Sequence, residues 1–119
     1  MSLSFKTSKY KDNIILVELE GKIISDENFA AISDSIDSYL KQGKRRFNVH
    51  LNQVNTINSS GLNLLLRLFT KVRNKGGELV ITAPSKSVAK LLDISKLNSI
   101  FTICADNDEA QNILNAQEA

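Results

Sequence analysis

The chain has 119 residues, room for one hydrophobic core, and reads as a single domain over 1–119. Hydrophobic residues make up 42% and charged residues 24%, a globular balance that excludes a largely disordered chain. A net charge of +2, no Trp and only 6% aromatics argue against nucleic acid as a direct partner, against a base-stacking platform and against an anionic membrane surface.

Residues 5–10 predict a short strand, and Ile14-Ile15-Leu16-Val17-Glu18-Leu19-Glu20 a longer one, β-branched at first and then alternating. Lys11-Asp12-Asn13 between them is turn chemistry, so the two are expected to form a hairpin. Gly21 interrupts the pattern, and Lys22-Ile23-Ile24 resumes it briefly. Ser25-Asp26-Glu27-Asn28 offers cap candidates and acids for the start of a helix, where the positive end of the dipole favours them. Phe29, Ile32, Ile36, Tyr39 and Leu40 follow as one apolar stripe, and Gly43 closes the helix. Lys41, Lys44, Arg45 and Arg46 cluster at that end. Cations at a helix C-terminus account for them more simply than an anion patch does.

Phe47, Val49 and Leu51 alternate with Asn48, His50 and Asn52, a strand with one buried face. His50 has no second His, Cys or acid pair near it in sequence, so it is a poor metal or catalytic candidate. Val54-Asn55-Thr56-Ile57-Asn58-Ser59-Ser60-Gly61-Leu62 then joins this strand to a leucine-rich helix carrying Leu62, Leu65, Leu66, Phe69 and Val72. Leu64 and Leu68 widen its apolar face, for burial or for a partner. Gly76-Gly77 ends it, after Lys71, Arg73 and Lys75.

Glu78-Leu79-Val80-Ile81-Thr82-Ala83 is the next strand. Pro84-Ser85 opens another helix, with Ser85 as N-cap and Val88, Leu91 and Leu92 facing inward. Leu97 to Cys104 includes a further short strand, and Asp106-Asn107-Asp108-Glu109 starts a last helix with Ala110, Ile113 and Leu114 inside. Those acids suit a helix N-terminus; they lack the glycine and distal glutamate of a calcium loop. Cys104, the one cysteine, excludes an internal disulfide and lies in an apolar run, as a buried inert thiol would. Met1–Lys6 has no signal-peptide core and no apolar run approaches the ~18–20 residues of a membrane span, so the expected location is the cytoplasm. Strands alternating with helices after a starting hairpin predict an α/β fold with a mixed sheet of four to five strands and about four helices.

Neither G-x-x-x-x-G-K-[ST] nor G-x-S-x-G occurs. Without a catalytic constellation, the chain reads as a binding or regulatory module, not an enzyme, with no cofactor and no metal. Asn58-Ser59-Ser60-Gly61 stays open between two readings. One is a helix cap of favoured residue types. The other is a modifiable serine: a phosphate adds about −1.5 to −2 charge, tolerable at a helix N-terminus and repulsive to an acidic or apolar partner.

Leu19-Glu20-Gly21-Lys22-Ile23, Ile57-Asn58-Ser59-Ser60-Gly61-Leu62, Lys75-Gly76-Gly77-Glu78-Leu79 and Val88-Ala89-Lys90-Leu91-Leu92-Asp93-Ile94-Ser95-Lys96-Leu97 resemble, in order, the STAS domain of bacterial anti-sigma factor antagonists. The resemblance implies a STAS-like fold, with the helices packed mainly on one face of the sheet, and a partner switch in transcription regulation. An antagonist of this kind binds an anti-sigma factor that is also a serine kinase, is released when that kinase phosphorylates it, and is restored by a serine phosphatase. Carried onto this chain, the acceptor is Ser59, and the partner-binding surface comprises Ser25, Asp26, Asn58, Ser59, Ser60 and Gly61. Two positions depart from the family: Asn58 stands where an aspartate is usual, and Ile24 where an acid is often found. Asn58 keeps a carbonyl acceptor and loses the charge. It motivates a second expectation, a non-phosphorylated STAS interaction subunit or scaffold in a signalling or transport assembly.

Overall fold

The computed structural model describes residues 3–10, 13–24 and 28–116. The strands are β1 (Ser4–Lys9), β2 (Ile14–Ile23), β3 (Arg46–Ile57), β4 (Glu78–Thr82) and β5 (Thr102–Cys104). The helices are α1 (Asn28–Lys41), α2 (Ser59–Asn74), α3 (Lys86–Ile94) and α4 (Asn107–Ala116), with a 3-10 turn at Leu97–Ser99. All five strands form one sheet in the order β1-β2-β3-β4-β5. The β1–β2 hairpin is antiparallel; every later pair is parallel, since each connection crosses over through a helix.

Inward residues of β2, β3 and β4 meet α1, α2 and α3 on one face, in a cluster that includes Val17, Leu19, Phe47, Val49, Ile81, Ile36, Leu65, Leu68 and Val88. Leu64 and Leu68 are both buried in it, while Leu62, Leu66 and Phe69 are partly buried against it. Helix α4 packs on the opposite face, where Ile14, Val80, Cys104, Ala110 and Leu114 form a smaller cluster. Each fully buried Leu, Ile or Phe contributes about 1.5–3 kcal/mol relative to exposure. Across the helical layer, Lys71 Nζ donates to Ser33 Oγ at 2.6 Å and to Asp37 Oδ2 at 3.0 Å, tying α2 to α1.

β2 and β3 are longer than their sequence patterns suggest. β2 runs through Gly21 to Ile23 without a break. β3 continues past Asn52 to Ile57, well beyond the last β4 pairing at His50–Thr82. The pairing explains why alternation hid this arm. Glu18 faces His50 but Glu20 faces Gln53, and Gly21 faces Val54 but Lys22 faces Thr56. At each irregularity β3 holds one residue more than β2, as in a β-bulge. The buried positions of β3 therefore pass from Val49 and Leu51 to Val54 and Ile57, a spacing of three that a period-two pattern misses. The further short strand expected between Leu97 and Cys104 is Thr102–Cys104, which pairs with β4.

Candidate functional site

The β3 arm delivers the chain to the start of α2. Ile57 is buried, and Asn58 N donates to Ile23 O at 3.3 Å, fixing the junction to the end of β2. Asn58 has extended geometry (φ −122, ψ −168), and its Oδ1 accepts from Gly61 N at 3.0 Å. Its own carbonyl accepts the first helical bond, from Leu62 N at 2.9 Å. These features define an N-cap, worth about 1 kcal/mol. The cap reading of this motif is thus correct for Asn58, and it leaves Ser59 and Ser60 free of capping duty as the first two helical residues.

Both serines are exposed, and neither hydroxyl has a hydrogen-bond partner among the described residues. Gly61 differs. It is buried, and a Cβ there would lie 2.1 Å from Ile23 O and 2.6 Å from Ile57 Cγ1. Only a residue without a side chain lets α2 begin this close to β2. The sequence suggests that glycine is merely tolerated here; the packing requires it. Gly61 accordingly offers no side chain to a partner and instead fixes where Ser59 stands.

Amide and hydroxyl side chains surround the serines. Asn52, Gln53, Asn55 and Thr56 are exposed along the β3 arm, two between each pair of buried anchors. Lys22 is the strand partner of Thr56. The start of α3 closes the other side: Ser85 Oγ donates to Val54 O at 2.7 Å and Ser87 Oγ to Asn55 O at 3.2 Å, placing the exposed Lys86 beside the arm. Sequence reasoning identified Ser85 as an N-cap, and its Oγ does lie 3.4 Å from Val88 N. Its second bond, to the β3 arm, was invisible because it depends on the length of β3. Ser25 and Asp26 lie outside the described residues.

The remaining candidates fall elsewhere. His50 is half-buried on the sheet face opposite the main core, beside hollows of about 270 Å³ and 440 Å³, while the serines sit past the last residue of β3. Burial first, then the negative charges of Glu109 and Asp106, push the Cys104 thiol up to about 11, so it stays protonated at neutral pH. Among the described residues, no three or more His, Cys, Asp and Glu side chains group in a way that could hold a metal ion. No helix among them is long and apolar enough to cross a membrane.

The order of elements and the sheet topology match one family. The STAS domain family model matches residues 6–110. The chain belongs to the STAS domain family. BtrV of Bordetella bronchiseptica, assigned as an anti-sigma factor antagonist, is 25% identical over 99 residues, which cover 83% of this chain and 84% of BtrV. Among solved structures, an assigned anti-sigma factor antagonist from Thermotoga maritima superposes with a TM-score of 0.83 at 19% identity, covering 93% of this chain and 94% of that one. The unphosphorylated anti-sigma factor antagonist SpoIIAA gives 0.79 at 19% identity, covering 95% and 97%. The phosphorylated form of SpoIIAA, a Bacillus cell fate determinant, gives 0.72 at 19% identity, covering 92% and 97%. At these identities the structural matches establish the STAS fold.

Proposed function

We propose that this STAS domain is a cytoplasmic anti-sigma factor antagonist, switched by phosphorylation of Ser59. The observation that carries the reading is the state of the Ser59 hydroxyl: exposed, unbonded, and displayed by a rigid junction whose cap is supplied by a different residue. A kinase can reach it without unfolding the helix. In the proposed cycle the unmodified surface around Asn58, Ser59 and Ser60, together with Ser25 and Asp26, binds an anti-sigma factor with serine kinase activity. Transfer of a phosphoryl group to Ser59 Oγ then places about −1.5 to −2 charges on that surface. The first helical N–H groups and Lys22 stabilise the charge within the domain, so the fold is kept. The partner has to desolvate or repel it, so binding ends. A serine phosphatase resets the surface. The resemblance to BtrV and the existence of SpoIIAA in phosphorylated and unphosphorylated forms support this reading.

Asn58 favours a second reading, a STAS interaction subunit that is never phosphorylated, since a neutral residue stands where the family's kinases meet an acid. One experiment separates the two. The full chain is incubated with its anti-sigma factor and ATP, and the modified residue is mapped by mass spectrometry. Stoichiometric phosphate on Ser59 is expected, with Ser59→Ala binding the kinase but resisting modification and Ser59→Asp failing to bind. An unmodified Ser59, together with binding indifferent to Ser59→Asp, would sink the switch and favour the scaffold.

A further inference from the structure

Cations at the N-terminal ends of the parallel strands are more numerous than the helix termini there require. Lys41 lies in the last turn of α1 and Lys75 just past α2, where the helix dipole accounts for a positive charge. Lys9, Lys44 and Arg45 lie outside any helix, although Arg45 also donates to the Leu40 carbonyl in the last turn of α1. The fold nevertheless gathers all five. Thr7 Oγ1 and Tyr39 Oη are 2.9 Å apart, so the last turns of α1 lie over β1, and Lys9 is two residues farther along that strand on the same face. Lys44 Nζ donates to Asn13 Oδ1 at 3.2 Å, joining the α1–β3 loop to the hairpin turn. The Arg45 carbonyl accepts from Glu78 N at 2.8 Å and is the group that a Cβ on Gly77 would meet at 2.4 Å. The glycine turn that follows Lys75 therefore sits on the loop that carries Lys44 and Arg45.

These charges lack counter-charges. Among the described residues, Lys9, Lys41, Lys44, Arg45 and Lys75 have no carboxylate within salt-bridge distance. Arg45 Nη1 is pinned by the carbonyls of Leu40 and Lys44, both at 2.9 Å, which orient the guanidinium without neutralising it. The nearby acids are engaged with other cations, Asp37 with Lys71 at 3.0 Å and Glu78 with Arg73 at 3.3 Å. In the sequence, the adjacent Lys11 and Asp12 contribute no net charge.

We infer that this end of the molecule is a second docking surface, fitted to a short acidic segment of a partner protein. Charge balance selects the occupant. The whole chain carries only +2, so these five unit charges leave a balance of −3 over everything else. A duplex or a lipid surface would extend beyond the five cations and meet that negative remainder. An acidic segment of about six extended residues, spanning about 20 Å at about 3.3 Å each, fits within a molecule whose shortest extent is 22 Å. No exposed large apolar side chain accompanies the patch for insertion into lipid; among the described residues those are Ile94 and Ile100. Helix α2, 16 residues or about 24 Å long, separates this surface from Ser59, so the two act independently.

The test uses the full chain and fluorescein-labelled hexaglutamate, with duplex DNA and phosphatidylserine vesicles as competitors at the same salt. The triple variant Lys41→Gln/Lys44→Gln/Lys75→Gln is compared with Lys86→Gln/Lys90→Gln/Lys96→Gln, an equal charge change on exposed lysines of another surface. Expected are at least tenfold weaker peptide binding in the first triple, under twofold change in the second and in Ser59→Asp, and weakening with added salt. In the unaltered protein, amide shifts on titration should centre on Lys9, Lys41, Lys44, Arg45 and Lys75, a readout that needs no variant. Absence of peptide binding at low salt, equal losses in the two triples, or tighter binding of DNA or vesicles than of peptide each overturns the inference.

Discussion

The two ends of α2 treat the backbone in opposite ways. At its start the helix meets β2 so closely that Gly61 has no room for a methyl group, and the surface there is mostly amides and hydroxyls, with Lys22 and Lys86 at its edges. At its end it leaves through Gly76, which has φ +82 and open space around it, and the surface there is lysine and arginine. Gly61 thus serves a packing constraint and Gly76 a conformational one, while Gly77, where a Cβ would lie 2.4 Å from Arg45 O, packs the far end against the α1–β3 loop. The first end displays side chains where the helix meets β2; the second turns the chain and then returns it to the sheet. A switch residue belongs at the first kind of end, since displaying Ser59 reproducibly requires a junction that cannot slide.

Substituting the two glycines is the sharpest way to break this comparison. Gly61→Ala should cost about 3 kcal/mol, because its Cβ would collide with backbone at Ile23 O, which has no flexible end to swing aside. Gly76→Ala, with only its positive φ to strain, should cost about 1 kcal/mol. Urea unfolding of both variants checks the order, and equal losses would mean that the α2–β2 contact is looser than described.

The cap is next in size. Asn58→Ala should cost about 1 kcal/mol, whereas Asn58→Asp keeps the acceptor for Gly61 N and should fall within about 0.5 kcal/mol of the unaltered protein. Ser59→Ala should also stay within about 0.5 kcal/mol, having no intramolecular bond to lose. Thermal melts of the three variants would test this division of labour between Asn58 and Ser59; a large loss in Ser59→Ala would contradict it. At the far end of α2, Lys71→Met should cost about 0.5–1 kcal/mol through its partly exposed pair with Asp37, and less at high salt.

The last effect appears only at high pH. The thiol of Cys104 is raised from 9.0 to about 11 in the folded protein, so folding favours its protonated form. That contribution is complete below pH 9 and is lost as pH rises through about 11. The stability of the unaltered protein should therefore fall across that window more steeply than that of Cys104→Ala, as urea midpoints at successive pH values would show.

Much of this architecture could be read from residue order alone. Regular periodicity marked β2, α1, α2 and α3, and Asn58 and Ser85 announced their caps. What escaped was set by pairing between distant segments. The β3 arm was hidden because its bulges exist only relative to β2, and the need for glycine at position 61 depends on Ile23, 38 residues away in sequence. The gathering of Lys9 with Lys41 and Lys44 is likewise a fact of topology. A run of four cations near position 45 looked like helix termination because the strand and turn that complete it lie elsewhere in the chain.

The bulged arm has a consequence for how such a domain can diversify. An ordinary half-buried strand commits every second residue to the interior. Between Leu51 and Ile57 this one commits every third, leaving Asn52 with Gln53 and Asn55 with Thr56 as adjacent outward pairs. Four variable positions are thereby presented over a length where regular alternation would present three. Substitutions there can retune which protein is recognised while Leu51, Val54 and Ile57 hold the scaffold unchanged, so recognition can drift without any compensating change in the interior.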